Sequence, residues 1–293
     1  MNYVIENEFL SIEATTFGAE LQSIKGKKSG FEYLWQGNPE FWTGRATVIF
    51  PFCGRLFEEK YTCQGKVYQM GLHGIVRKCE FELKEQTNDT LSFVYKSNEQ
   101  TKINYPFDFE FTVSYILKGN SVRTEFNVKN LSSETLPFSV GGHPGFNIPF
   151  IDGEKFEDYY VEFENGTEFE YIDFTENKLC SGKTNKLTTD NGKIHLRHDL
   201  FDNDAIFIQT AKNSLTLKTD KNNRSVKVTF DNMSHVGLWH ACFKPAPYVC
   251  IEPWHGSPGI DGKMEDFYTT KKDMIQLEAG KTSIIGFDIS ITE

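Results

Sequence analysis

The chain has 293 residues and a formal net charge of −10 at pH 7, with no block of Lys or Arg, which disfavours a nucleic-acid or anionic-membrane surface. The opening MNYVIENEFLSIEA has neither a basic segment nor a continuous apolar one, and no run approaches the ~20 apolar residues of a membrane span, so a cytoplasmic protein is expected. Six cysteines, Cys53, Cys63, Cys79, Cys180, Cys242 and Cys250, contain no C-x-x-C pair, and reduced thiols in strands are expected.

In chain order the dominant signal is period-two alternation, which places successive side chains on opposite faces of a sheet. TLSFVYKS at 90–97 follows the turn residues Asn88-Asp89. In FDFEFTVSYILKGNSVRTEFNVKN, Phe107, Phe109, Phe111, Val113, Tyr115 and Leu117 share one face, and Val122, Phe126 and Val128 share one after Gly119-Asn120. That pattern predicts a β-hairpin. SLTLKTD (214–220) and SVKVTF (225–230) flank Lys221-Asn222-Asn223, and TSIIGFDISI (282–291) is the last alternating run. Helical periodicity is nearly absent. About twenty short strands are expected in all. The 26 phenylalanines suit the wide core between two large sheets, and no linker or repeat divides the chain. The expectation is all-β, one antiparallel sandwich domain over residues 1–293.

Function must then come from side chains at the surface or in a concavity. Four stretches place an ionisable residue beside a strand-like run and a glycine or proline: FPFCGRLF (Arg55), GLHGIVRK (His73), GGHPGF (His143) and YVCIEPWHGSPG (Glu252). Gly141, Gly142 and Gly145 permit positive φ and Pro144 removes a backbone donor, so a sharp turn is expected at His143. Each residue also has an ordinary structural explanation. Arg55 could pair with Glu58 or Glu59, His73 could cap a turn, and His143 could be a solvated loop residue. Glu252 is the hardest to explain that way, because a half-buried strand makes an unpaired carboxylate costly.

These residues resemble a known family. The order Gly-Arg-Leu, Leu-His-Gly, Gly-His-Pro-Gly-Phe-Asn, an Asp-x-x-Phe strand and Cys-Ile-Glu-Pro-Trp is similar to the aldose 1-epimerases, or galactose mutarotases, and most similar to their LacX-like bacterial branch. The resemblance runs from GAELQSI to the final strands. It implies a β-supersandwich whose concave face binds a free sugar, with no metal or organic cofactor. It also implies Glu252 as general base, His143 as general acid, and His73 near the sugar ring oxygen. The same resemblance implies Arg55 as the residue that orients hydroxyls and Asp204 as the carboxylate that accepts their hydrogen bonds. Asp202, two residues away, is the competing carboxylate if the strand is already regular there. Pro253-Trp254 and Pro144-Gly145 depart from the better-known galactose mutarotases, which bears on the choice of sugar rather than on proton chemistry.

Interconverting anomers requires removing the anomeric hydroxyl proton while protonating the ring oxygen, rotation about C1–C2 and reclosure. One base and one acid suffice. At ordinary pKa values of about 4.3 for Glu and about 6.5 for His, the glutamate is ionised at pH 7 while the histidine needs a neighbouring carboxylate to favour imidazolium. Trp254, Trp239 and Phe146 are candidates for an apolar floor, with core packing favoured for Trp239. Arg77 suggests an anion site, because related hexose-6-phosphate mutarotases carry a basic residue near this place. His195 and His198 read as a solvated strand end, and His235, His240 and His255 as packing or rim residues. The expected partner is an aldose sugar, with neither nucleic acid nor membrane, and the expected assembly a monomer or homodimer. The rival classes are a two-carboxylate glycoside hydrolase or lyase and a sugar-sensing module without turnover.

Overall fold

The computed structural model describes residues 1–164, 168–209 and 214–293. Among these there are twenty-three strands and one α-helix, the six-residue Glu99–Asn104. Two large antiparallel sheets dominate, one of nine strands and one of seven, with three smaller sheets beside them.

The predicted hairpin forms at the centre of the nine-stranded sheet, pairing Phe109–Lys118 with Ser121–Asn130 about Gly119 and Asn120. Its alternation is literal. Phe109, Phe111, Val113, Tyr115 and Leu117 are buried, and so are Val122, Phe126 and Val128 on the partner strand. The runs at 90–97, 214–220, 225–230 and 282–291 are also strands of this sheet, Thr90–Lys96, Ser214–Thr219, Ser225–Asp231 and Thr282–Thr292.

Its buried face packs on the seven-stranded sheet through one continuous apolar core. Phe50 stacks on Phe111 at 4.5 Å between ring centroids. A β-carbon on Gly142, in the seven-stranded sheet, would lie 2.5 Å from the Phe287 ring of the nine-stranded one. The other face of the seven-stranded sheet is thereby left to carry the site. The cysteines are all free, and Cys63, Cys180 and Cys250 lie in strands, while Cys53, Cys79 and Cys242 lie in connections.

Candidate active site

The stretch around His143 is not a turn. Val140–Asn147 is an eight-residue strand, and its three glycines have no positive φ. Their role is space: a β-carbon would lie 2.4 Å from the Trp254 ring at Gly141 and 3.1 Å from Trp35 at Gly145. This strand runs between Ala46–Ile49 and Tyr248–His255.

The ladder to the Tyr248–His255 strand pairs Gly141 with Trp254 and Gly145 with Cys250, with no pairing between. The register is the same on both sides, so Glu252 falls opposite His143 in the gap. Pro144 and Pro253 have no N–H with which to close it. Thr47 pairs with His143 on the far side, Gly237 with Glu252, and Phe207 with Gly237. One row across five strands therefore reads Phe207, Gly237, Glu252, His143, Thr47. Gly237 keeps the row concave beside the carboxylate, since its missing β-carbon would sit 3.4 Å from Glu252 Cβ.

Above this row is a cavity of about 260 Å³ whose walls include Arg55, His73, Arg77, Lys178, Asp204 and Trp254. The motifs separated by two hundred residues of sequence thus converge on one site. His143 Nε2 lies 3.3 Å from Glu252 Oε2. His143 Nδ1 and Glu252 Oε1 are buried with no hydrogen-bond partner among the described residues. Only 2 % of Glu252 is exposed. Buried polar atoms are rarely left unpaired in a folded protein, so two on adjoining residues in one cavity mark a place prepared for a ligand.

Protonation differs from the expectation. Burial pushes the Glu252 carboxyl well above its usual range, and the nearby Asp204 charge adds to this. Burial likewise pulls the His143 imidazole down to about 3, with the Arg77 charge acting in the same direction. The carboxylate needed to favour imidazolium is present, but desolvation disfavours separating the two charges. Burial therefore favours the neutral carboxylic acid and neutral imidazole over the separated charges.

His73 has a left-handed backbone, with φ 61°. Its N–H donates to Gly54 O at 2.9 Å, and its Nδ1 accepts from Gly54 N–H at 3.2 Å. Turn capping and site lining thus occur in the same residue. Burial holds its pKa well below normal, so it is neutral, with the proton on Nε2 as its donor. Arg55 is exposed at the cavity edge and is not paired with Glu58, which meets Lys60 at 3.0 Å instead. Arg55, Arg77 and Lys178 line the cavity and make no ion pair among the described residues. Burial lowers the Arg77 pKa, and the Arg55 charge lowers it further, so Arg77 lacks a compensating anion despite the opposing influence of Glu20.

Asp204 lines the cavity and Asp202 does not. The strand begins only at Ile206, and Asp204 has φ 87°, so strand alternation does not relate the two residues. Asp202 is spent on a turn, its Oδ1 accepting from Phe243 N–H at 3.0 Å. Burial raises the Asp204 pKa, although Lys178 and Arg55 pull it down.

The aromatic floor is also rearranged. Trp254 lines the cavity and donates its indole N–H to Gly142 O at 3.1 Å. Trp239, expected to be core, is a wall residue with its ring edge-on to His143 at 5.5 Å. Phe146, expected in the floor, is fully buried in the main core, because it is three residues beyond His143 and points through the other face of the sheet. Its place is taken by Trp42, whose ring lies 4.7 Å from that of His143. Trp42, Thr47, Lys178 and Phe207 are cavity residues outside the expected site set. Phe207 alone carried a signal, as the aromatic of the Asp-x-x-Phe run.

The remaining histidines lie outside the cavity. His195 is 3.6 Å from Asp190, whereas His198, expected to be solvated, stacks on Phe156 and meets His240 at 3.1 Å between ring nitrogens. His235 stacks on Phe207, and His255 Nδ1 bonds to Asn232 O at 2.8 Å. Among the described residues, the one set of three metal-type ligands is His143, Cys250 and Glu252, within 4.8 Å of one another. Burial pushes the Cys250 thiol well up, and the nearby Glu252 charge adds to this, so the thiol is held in its protonated form beside the pair.

The fold and site together define a galactose mutarotase-like protein. A galactose mutarotase related enzyme from Lactobacillus acidophilus is 37% identical and superposes with a TM-score of 0.95 over 100% of this chain and 98% of its own. A galactose mutarotase-like protein from Lactobacillus casei is 25% identical, with a TM-score of 0.93 over 100% of both chains. Protein LacX of Lactococcus lactis is 39% identical over 268 residues, 87% of this chain and 88% of LacX. Residues 1–270 match the aldose 1-epimerase family, and the chain belongs to that family of carbohydrate isomerases.

Proposed function

We propose that this protein interconverts the α and β anomers of a free aldohexose, with Glu252 and His143 as its proton carriers. The observation that carries the reading is the buried pair at 3.3 Å, with unpartnered atoms on both residues. Proton transfer across that contact converts acid and imidazole into carboxylate and imidazolium without changing the charge of the site. In the second form Glu252 accepts the anomeric hydroxyl proton while His143 protonates the ring oxygen, opening the ring to the aldehyde. After rotation about C1–C2 the same transfers run backwards and restore the pair. Each positioned proton-transfer group typically contributes roughly 10²- to 10⁴-fold. Arg55, Asp204 and the neutral His73 supply hydroxyl-directed donors and acceptors, and Trp42, Trp239 and Trp254 supply the apolar surface for the sugar ring. No covalent intermediate or hydride carrier is required.

The second reading is a hexose 6-phosphate. Arg55, Arg77 and Lys178 favour it, since three cations that make no ion pair among the described residues line one cavity. Saturation-transfer NMR of anomer exchange across free and 6-phosphorylated hexoses separates the two. Acceleration for at least one free aldohexose is expected. Acceleration for phosphorylated sugars alone would replace the proposal with the second reading, and none for either would remove both.

A further inference from the structure

Two neighbouring segments carry parts of the cavity wall. One is the short 3₁₀ turn His198–Phe201, which leads through Asp202 to Asp204, and the other leaves the strand His235–Trp239 through His240 and Ala241. Asp204 and Trp239 both line the cavity, and the Trp239 side chain hydrogen-bonds the Asp204 carboxyl. Each segment also holds a left-handed residue that is not glycine, Asp204 at φ 87° and Phe243 at φ 56°. Such a backbone persists only where neighbouring contacts fix it.

Two further contacts join the segments. Phe243 N–H donates to Asp202 Oδ1 at 3.0 Å, and the ring nitrogens His198 Nδ1 and His240 Nε2 lie 3.1 Å apart. The direction of the second bond follows from its surroundings. His240 Nδ1 lies 2.9 Å from Ala241 O, which can only accept, so the proton of that ring is on Nδ1. Burial pulls the His240 pKa down to about 4, so the ring is neutral at pH 7 and its Nε2 is an acceptor. His198 Nδ1–H is therefore the donor. His240 is fully buried, with the Phe201 ring 4.4 Å away between centroids, and Phe156 stacks on His198 at 4.0 Å. Both rings are thus fixed in orientation by aromatic neighbours as well as by the bond itself.

We propose that His198 and His240 are positioning residues for anomer exchange: their imidazole–imidazole hydrogen bond fastens the segment of Asp204 to the segment of Trp239 and so holds the hydroxyl-accepting carboxylate in place. This rests on the mutarotase reading of the cavity. Neither histidine lines the cavity, and neither exchanges a proton with the sugar. Asp204 accepts hydrogen bonds in the ground state as well as in the transition state, so its displacement weakens sugar binding more than it slows the proton transfers at Glu252 and His143.

The test pairs two substitutions at the partly exposed His198 with NMR of the imidazole nitrogens in the wild type. His198→Phe keeps a ring against Phe156 but removes the donor, and it should raise KM for the exchanged aldohexose about tenfold with kcat within a few-fold. His198→Asn loses the ring but places an amide N–H near the position of Nδ1–H, and it should bring KM back to within about threefold of the wild type. A role in stability alone would give the opposite order, with the ring-preserving variant nearer the wild type. At neutral pH the nitrogen spectra should show the proton on Nδ1 in both rings, with coupling between His198 Nδ1 and His240 Nε2. Unchanged KM in His198→Phe, a fall in kcat as large as the rise in KM, or no rescue by His198→Asn would overturn the proposal, and so would a proton on His240 Nε2. Should His198→Phe fail to fold, His198→Ala against His198→Asn makes the same comparison. A wild type that exchanges no sugar fails the mutarotase reading instead, and the histidine bond is then judged by the nitrogen spectra alone.

Discussion

The ionisable pair around the buried Lys271 and the pair formed by His143 and Glu252 are built on opposite principles. Lys271 is 4 % exposed and meets Asp273 Oδ1 at 2.7 Å. Its ammonium also donates to Ser257 Oγ at 2.9 Å, and that hydroxyl donates to Asp273 Oδ2 at 2.5 Å. Burial opposes ionisation of Asp273, but the Lys271 charge and these hydrogen bonds overcome it and hold the carboxyl below its usual range. His143 and Glu252 have no such ring of partners. Burial drives both toward their neutral forms, and each keeps an unpartnered atom. A satisfied buried pair reinforces structure. An unsatisfied one leaves hydrogen-bonding atoms free, which under the proposed mechanism serve the substrate. The first also supports the second: the adjoining Pro258 lines the cavity, and Gly259 N–H donates to Arg55 O at 2.7 Å.

The largest expected effect is on turnover. His143→Asn keeps a polar side chain but cannot carry a proton, so kcat should fall roughly 10²- to 10⁴-fold in the exchange assay, with sugar affinity largely kept. Lys271→Met should act on stability instead, costing about 3–5 kcal/mol in urea unfolding because it leaves Asp273 without its cation. The molecules that remain folded should exchange sugar with nearly normal kcat. The pH dependence has a definite sign. The Asp273 carboxyl is depressed in the folded state, so its contribution is present above the unfolded value of about 3.9 and is lost as pH falls below it. Glu252 runs the other way: its raised carboxyl favours the folded state below about 4.3, an advantage lost as pH rises through the folded value.

Arg55→Ala should have a smaller effect, raising KM roughly tenfold with kcat within a few-fold, since its donors act in the ground state as well as the transition state. The smallest effect belongs to Asp202→Asn. An asparagine oxygen still accepts from Phe243 N–H, and exchange should stay within twofold. A large loss there would break the distinction drawn between Asp202 and Asp204.

Much of this was legible in the sequence for a physical reason. Strand alternation is a local property, so Phe109 to Leu117 and Val122 to Val128 reveal their buried face directly. The ionisable residues beside glycine and proline in four separate runs converge on one cavity, as their types and order suggested. What was not legible depends on contacts between distant segments. The glycines around His143 read as turn residues, yet they make room for Trp254, Phe287 and Trp35 from other parts of the chain. Phe146 looked like a cavity residue because it adjoins the motif, but alternation sends it into the core. Trp42 enters from a loop with no pattern of its own. The pull of Glu252 and His143 toward their neutral forms was beyond reach for the same reason, since a pKa set by desolvation depends on what surrounds the groups after folding.

The central claim is that Glu252 is buried and unsatisfied for catalysis at the expense of stability, and Glu252→Gln tests both halves together. Anomer exchange by saturation-transfer NMR, calorimetric binding of the same sugar and thermal unfolding at pH 7 should be measured on one preparation. The account predicts that kcat falls roughly 10²-fold or more, that affinity largely survives, and that the melting temperature equals or exceeds that of the wild type. Near-normal exchange would contradict the mechanism, and equal loss of binding and rate would make Glu252 an anchor for the sugar instead of a proton carrier.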